Sequence, residues 1–198
     1  MSNQILLNRA KECLTKESIA LLSLASELDE SYINFITAIS ACQGKYCFIG
    51  VGKSFIVARK IASSFCSLGY ASFAIDPLCL LHGELGAIGK DDIVVAVSNS
   101  GETKILLDAI NAIMTRNITI VSIVGNYSSS LAQISNHVIA IPTSEAGPFG
   151  LVPSTSTTVM MAMGDALLCG LAEMDGLTVN TFQSFHPDGH LGQIMKGL

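Results

Sequence analysis

A three-layer α/β fold, a five-stranded parallel sheet flanked by helices, is what this sequence predicts. Five short apolar runs, stretches of helical period between them, and glycine- or hydroxyl-rich turns where the runs end carry that prediction. Short continuous apolar runs bounded by turn residues read as strands buried on both faces. Strands that alternate with helical crossovers pair in parallel.

Taken in order, residues 1–42 form a helical segment and residues 43–198 an α/β core with C-terminal helices, together one domain. In the first segment Leu21, Leu24, Leu28, Tyr32, Phe35 and Ile39 recur every three or four residues, which predicts one or two amphipathic helices. Such helices ahead of a sheet often serve subunit contacts. The run Tyr46-Cys47-Phe48-Ile49, closed by Gly50, is the first strand, and a helix with Val57, Ile61, Phe65 and Leu68 on one side follows until Gly69. Further strands are expected at 72–75, 93–98, 118–124 and 138–141, with helices near 103–114 and 129–134 and a long last helix at about 155–174.

Composition limits the function. Apolar residues make up 49% and charged residues 14%, the profile of a globular chain with apolar surface to share between subunits. The net charge of −5, with no basic run, argues against nucleic acid or an anionic membrane as partner. An anionic ligand would have to be held by local donors. The six cysteines, Cys13, Cys42, Cys47, Cys66, Cys79 and Cys169, lack metal-ligand spacing, so no metal is expected. With no signal peptide ahead of them they read as reduced, mostly buried thiols of a cytoplasmic protein. The apolar stretch from Val159 to Ala172 is interrupted by Asp165 and reads as a buried core helix, not a membrane span.

In open α/β sheets ligands sit beyond the carboxyl ends of the strands, so the strand-to-helix turns are the candidate sites. The turn Ser98-Asn99-Ser100-Gly101-Glu102-Thr103 combines a glycine, hydroxyl and amide donors and a helix start, which suits a phosphate. An ordinary helix cap at Ser100 or Gly101 is the alternative. The turn Gly50-Val51-Gly52-Lys53-Ser54 adds a lysine but lacks the glycine spacing of a nucleoside triphosphate P-loop. A cation at a helix start opposes the helix dipole, which favours a compensating anion at Lys53 over the alternative of a solvated helix-start lysine. A third cluster, Ser154-Thr155-Ser156-Thr157-Thr158, holds more hydroxyls than one cap requires, with a hydroxyl-rich helix cap as the alternative.

These segments, with His82-Gly83-Glu84-Leu85-Gly86, Glu145-Ala146-Gly147-Pro148, Gly164-Asp165-Ala166-Leu167 and His186-Pro187, resemble the sugar isomerase (SIS) family in the same order, from about residue 45 to 192. Within it, the chain is most similar to the arabinose 5-phosphate isomerases. The resemblance implies a flavodoxin-like sheet, a homotetramer with sites built partly across subunits, and a phosphorylated sugar as ligand, with no cofactor. It implies Lys53, Glu145 and His186 as catalytic residues. Sugar phosphate would be bound by Gly52, Ser54, His82, Ser98, Asn99, Ser100, Gly101, Thr103 and Ser156. The family carries His-Pro-Gly-Glu-Ala where this chain has Asp76-Pro77-Leu78-Cys79-Leu80, and a glutamate where it has Ile105. The late motif reads His186-Pro187-Asp188-Gly189-His190. Arabinose 5-phosphate isomerases often carry a pair of CBS modules after this domain, and only the isomerase domain is expected here.

The expected reaction is aldose-ketose interconversion through an enediolate, which needs a base near C1 and C2 and help for the oxyanion. Glu145 would be the base, Lys53 would stabilise the oxyanion or the phosphate, His186 would open the ring or move hydroxyl protons, and His82 would orient a hydroxyl. A hexulose-phosphate isomerase and a non-catalytic sugar-phosphate sensor are the alternatives. His137 and His190 carry no expected role.

Overall fold

A computed structural model describes residues 2–187. His190 and the rest of residues 188–198 lie outside the described residues. The sheet has five parallel strands, β1 (Tyr46–Gly50), β2 (Ser72–Ile75), β3 (Ile93–Ser98), β4 (Thr119–Val124) and β5 (His137–Ala140), in the order β2-β1-β3-β4-β5. Every residue of β1 and β3 is buried, which is why both read as unbroken apolar runs rather than as alternating ones. The helices are α1 (Asn3–Glu27), α2 (Glu30–Ser40), α3 (Lys53–Cys66), α4 (Pro77–Leu81), α5 (Lys104–Met114), α6 (Ser130–Ile134), α7 (Thr155–Met174) and α8 (Val179–Ser184).

Strand and helix positions agree with the sequence reading to within a residue at most ends. Two elements between β2 and β3 were not anticipated: α4 and the 3-10 turn Glu84–Ala87. The first has a local cause. Asp76 accepts from the N–H of Leu78 at 2.8 Å and Pro77 fills the first helical position, so a sequence that looks like a turn starts a short helix. The cysteines correct an expectation: all six are free, but only Cys47 is buried, and Cys66, Cys79 and Cys169 are exposed.

One face of the sheet is covered by α2, α3 and α7 around Phe35, Phe48, Phe65, Met163 and Leu167, and the other by α4, α5 and α6 around Ile49, Leu80, Leu106 and Ile110. By length and hydropathy α7 could cross a membrane. In the fold it lies on the sheet layer, with Val159, Met160, Met163, Leu167 and Leu171 buried. Its glycines admit close neighbours. A Cβ on Gly164 would stand 2.4 Å from the Ile61 side chain, and one on Gly170 would stand 2.2 Å from Ile36.

Two features position the site. The chain leaves β1 towards β2 and leaves β3 towards β4, in opposite directions, so the carboxyl ends of β1 and β3 flank the switch point of the sheet. Gly50 and Val97 are register partners there. Secondly, α3 and α7 run side by side in the same direction, as the Ile61–Gly164 contact, the Lys60–Asp165 ion pair and the Tyr70–Asp175 hydrogen bond show in succession. Their starts, Lys53 and Ser156, therefore lie at the same level, one helix spacing of roughly 8–10 Å apart.

Candidate functional site

Beyond β1, Gly52 turns the chain into α3 with φ +60°, a conformation glycine adopts without strain, and a Cβ there would meet nothing within 4 Å. No side chain caps α3. The N–H groups of Lys53 and Ser54 make no hydrogen bond within the described residues, and the exposed Lys53 ammonium has no carboxylate partner there. An unscreened cation thus sits on the positive end of a 14-residue helix, an arrangement that an anion would relieve.

Beyond β3, the Ser98 hydroxyl accepts from the N–H of Gly101 at 3.0 Å and the Ser100 hydroxyl from Glu102 at 3.2 Å, folding the turn. Gly101 takes φ +67°. The boundary residue of α5 is Thr103, not Ser100 or Gly101, and its side chain makes no cap. The N–H groups of Ser100, Thr103, Lys104 and Ile105 are left without a partner in the described residues. This decides against the ordinary cap: serines that fold the turn leave the helix donors open. By contrast α2, α4 and α6 are capped by Asp29, Asp76 and Ser129.

The third cluster is organised differently. Glu145 reaches from the loop after β5 to the start of α7, where one carboxylate oxygen accepts from the N–H of Ser154 at 2.8 Å, its hydroxyl at 3.2 Å and the N–H of Ser156 at 3.3 Å. The other oxygen accepts from the Ser156 hydroxyl. Partial burial alone would raise the Glu145 pKa, but the bonds from Ser156 and Ser154 outweigh it and hold the carboxyl below its usual range. The surplus hydroxyls are likewise spoken for. Thr155 accepts from the N–H of Ala146, Thr157 donates to the Ser154 carbonyl, and Thr158 donates to Glu17 of α1. Ser156 is buried with its hydroxyl bonded to Glu145.

His82 ends α4, exposed and without a side-chain partner within the described residues. His186 lies elsewhere. Its Nδ1 is 2.8 Å from the Phe182 carbonyl, its ring stacks on Phe182 at 3.9 Å between centroids, and the neighbouring Phe185 ring covers Gly69. Gly69 follows the end of α3, whereas Lys53 begins it, which separates the two by roughly 20 Å at the helical rise per residue. Within one chain Lys53, the Ser98–Thr103 turn and Glu145 share one end of the molecule, and His186 occupies the other.

Residues 40–169 match the family described as the SIS domain. The chain belongs to that family. It is 36% identical over 188 residues to arabinose 5-phosphate isomerase KdsD of Pseudomonas aeruginosa, covering 94% of this chain and 58% of the relative. The KdsD of Escherichia coli K12 is 35% identical over 92% of this chain and 56% of its own length. This SIS domain thus spans a little over half the length of the curated relatives it matches. In structure it matches an E. coli CFT073 protein in complex with arabinose 5-phosphate, with a TM-score of 0.90 and 37% identity, covering 94% of this chain and 100% of that one.

Three residues of this SIS domain were given no role from sequence: Glu102, Gly125 and Ser130. Glu102 accepts from the N–H and hydroxyl of Ser130 at 2.8 and 2.7 Å, a partner 28 residues away. Those two bonds hold its carboxyl below the ordinary value. Glycine after β4 was the one available signal, because Gly125 packs so closely on Asn99 that a Cβ would stand 2.2 Å from its Oδ1.

Proposed function

We propose that this SIS domain binds a phosphorylated sugar across the β1/β3 switch point and interconverts its aldose and ketose forms, with arabinose 5-phosphate and ribulose 5-phosphate as the pair. The observation that carries the reading is the pair of helix starts uncapped among the described residues on adjacent strands, α3 with Lys53 and α5 with the open N–H groups of Thr103, Lys104 and Ile105, joined by that of Ser100 in the turn before it. Open amide donors at two neighbouring strand ends and one cation suit a phosphate dianion. The identity to the KdsD proteins and the fold shared with the arabinose 5-phosphate complex support the choice of sugar.

In this reading Gly52, Ser54, Ser98, Asn99, Ser100, Gly101 and Thr103 hold the phosphate and adjoining hydroxyls, and His82 orients a sugar hydroxyl. Lys53 stabilises the enediolate oxygen. Glu145 takes the proton between C1 and C2, exchanging serine donors for substrate as it does so. His186 moves ring or hydroxyl protons from a second copy of the chain, since its own chain keeps it at the far end. That role requires a homo-oligomer, and a homotetramer accommodates it. Six free thiols suit a cytoplasmic setting.

Incubation with arabinose 5-phosphate, ribulose 5-phosphate and hexulose phosphates, followed by NMR of the sugar pool, tests the reading. Interconversion of the pentose phosphates is expected. Turnover of hexulose phosphates alone would reassign the substrate. Binding of all three without turnover would favour a sensor, which Ile105, standing where the family carries a carboxylate, and the occupied Glu145 leave as the second reading.

A further inference from the structure

The turn after β3 is riveted to residues 125–131, which lead from β4 into the first turn of α6 and supply no residue to the proposed site. The N–H of Gly125 donates to the Asn99 carbonyl at 3.0 Å, and the N–H of Leu131 donates to the Gly101 carbonyl at 3.0 Å. Between these, Glu102 takes both donors of Ser130. A Cβ on Gly101 would stand 2.2 Å from the Ser129 hydroxyl oxygen, so the two segments are in contact along their length.

The geometry has a direction. Each peptide has its carbonyl and N–H on opposite sides, so drawing the Asn99 carbonyl to the β4 side turns the Ser100 N–H away from it, and drawing the Gly101 carbonyl there turns the Glu102 N–H onto the Ser100 hydroxyl, which closes the turn. The N–H groups left open, those of Ser100, Thr103, Lys104 and Ile105, lie in the same turn and at the helix it begins. We propose that Glu102 is a positioning residue, which acts through Ser130 to hold these donors in the orientation that grips a phosphate. A fixed array of donors binds an anion more tightly than one that must be ordered on binding. The proposal rests on the sugar-phosphate reading for its ligand, but not for the rivets.

The test compares wild type, Glu102→Ala, Ser130→Ala, the double variant and Ser130→Thr. Binding of inorganic phosphate and of arabinose 5-phosphate is measured by calorimetry, and amide exchange at Gly125 and Leu131 is measured without ligand. Ser130 is not a ligand contact in this reading, so a direct role for Glu102 and a positioning role separate cleanly. Positioning requires Ser130→Ala to weaken phosphate binding about tenfold, the loss of one charge-assisted hydrogen bond. It also requires faster exchange of the Leu131 amide, a double variant no worse than Glu102→Ala, and recovery in Ser130→Thr. Wild-type binding in Ser130→Ala, or additive losses in the double variant, would overturn it. Wild-type protein that binds neither ligand would sink the sugar-phosphate reading instead. The rivets would then be judged by exchange alone, standing if Leu131 exchanges faster in Ser130→Ala and falling if it does not.

Discussion

Glu145 and Ser156 are joined through both carboxylate oxygens, one accepting the serine N–H and the other its hydroxyl. A residue in the loop after β5 is therefore the cap of α7, the helix that packs against α3 beneath the site. Glu145→Ala should lower stability by about 1–2 kcal/mol, the usual cost of losing a cap with charge-assisted bonds. The pH dependence follows from a folded pKa held below the unfolded value. The stabilisation is fully present above the unfolded carboxyl pKa of about 4.3 and is lost as pH falls through the folded value. Thermal melts of both proteins should differ at pH 7 and converge only once the pH has fallen below the depressed pKa of the folded Glu145 carboxyl.

The same low pKa makes a kinetic prediction if Glu145 is the base. The pH profile of kcat/KM reports the free protein's groups, and the base must be ionised, so its acid limb should lie below the ordinary carboxylate range. Glu145→Gln should cut turnover by ~10²-fold or more while sugar phosphate still binds. Near-normal turnover per folded molecule would leave Glu145 as a cap only.

Lys53 should behave in the opposite sense. An exposed cation at a helix start, with no ion-pair partner among the described residues, contributes nothing favourable to the free fold and opposes the dipole. Lys53→Ala should leave the melting temperature unchanged or raise it slightly, by ~0.3–1 kcal/mol equivalent. Arabinose 5-phosphate affinity should fall at least ~10-fold, the scale of a lost charge-assisted bond. A variant both destabilised and fully competent to bind would contradict the role given to this lysine.

How much of this was legible beforehand depended on the range of each interaction. The strands at Tyr46–Gly50 and Ile93–Ser98 were plain because burial on both faces leaves continuous apolar runs. The Ser98–Thr103 turn stood out as a candidate because its glycine and hydroxyls are adjacent. That its serines fold the turn rather than cap α5 was not plain, since the same residues suit either task. Glu145 was found by resemblance, but its engagement with serines nine and eleven positions on was hidden, as was the Glu102–Ser130 pair. The position of His186 could not be read at all. It depends on α7 carrying the chain back across the full depth of the sheet to Gly69.

Gly125→Ala tests the close approach beneath the turn. An added methyl would meet Asn99 Oδ1 at 2.2 Å and the Asn99 carbonyl oxygen at 2.6 Å, and the second is backbone that cannot swing aside. The turn must shift, at a cost of about 1–3 kcal/mol in stability as for other overpacked sites. Phosphate affinity should fall with it, since Asn99 opens the cradle. Unchanged binding and stability would show that the contact relaxes without moving the turn.

The last prediction concerns α1, whose leucines Leu7, Leu14 and Leu21 fall seven residues apart, the repeat of a helix seam. Leu21 and Leu24 pack on the core beside α7, but residues 2–12 are exposed throughout and Leu14 is 68% exposed. A helical stretch of about ten residues that is exposed throughout is marginal in water on its own, so a surface to lie on would stabilise this half. A second copy of the chain is also what the role proposed for His186 would require. Leu7→Glu with Leu14→Glu should reduce the mass measured by analytical ultracentrifugation and lower turnover with it, while the pattern of core amide exchange persists. If the doubly substituted chain keeps both the mass and the turnover of the wild type, the exposed half of α1 is not where copies meet.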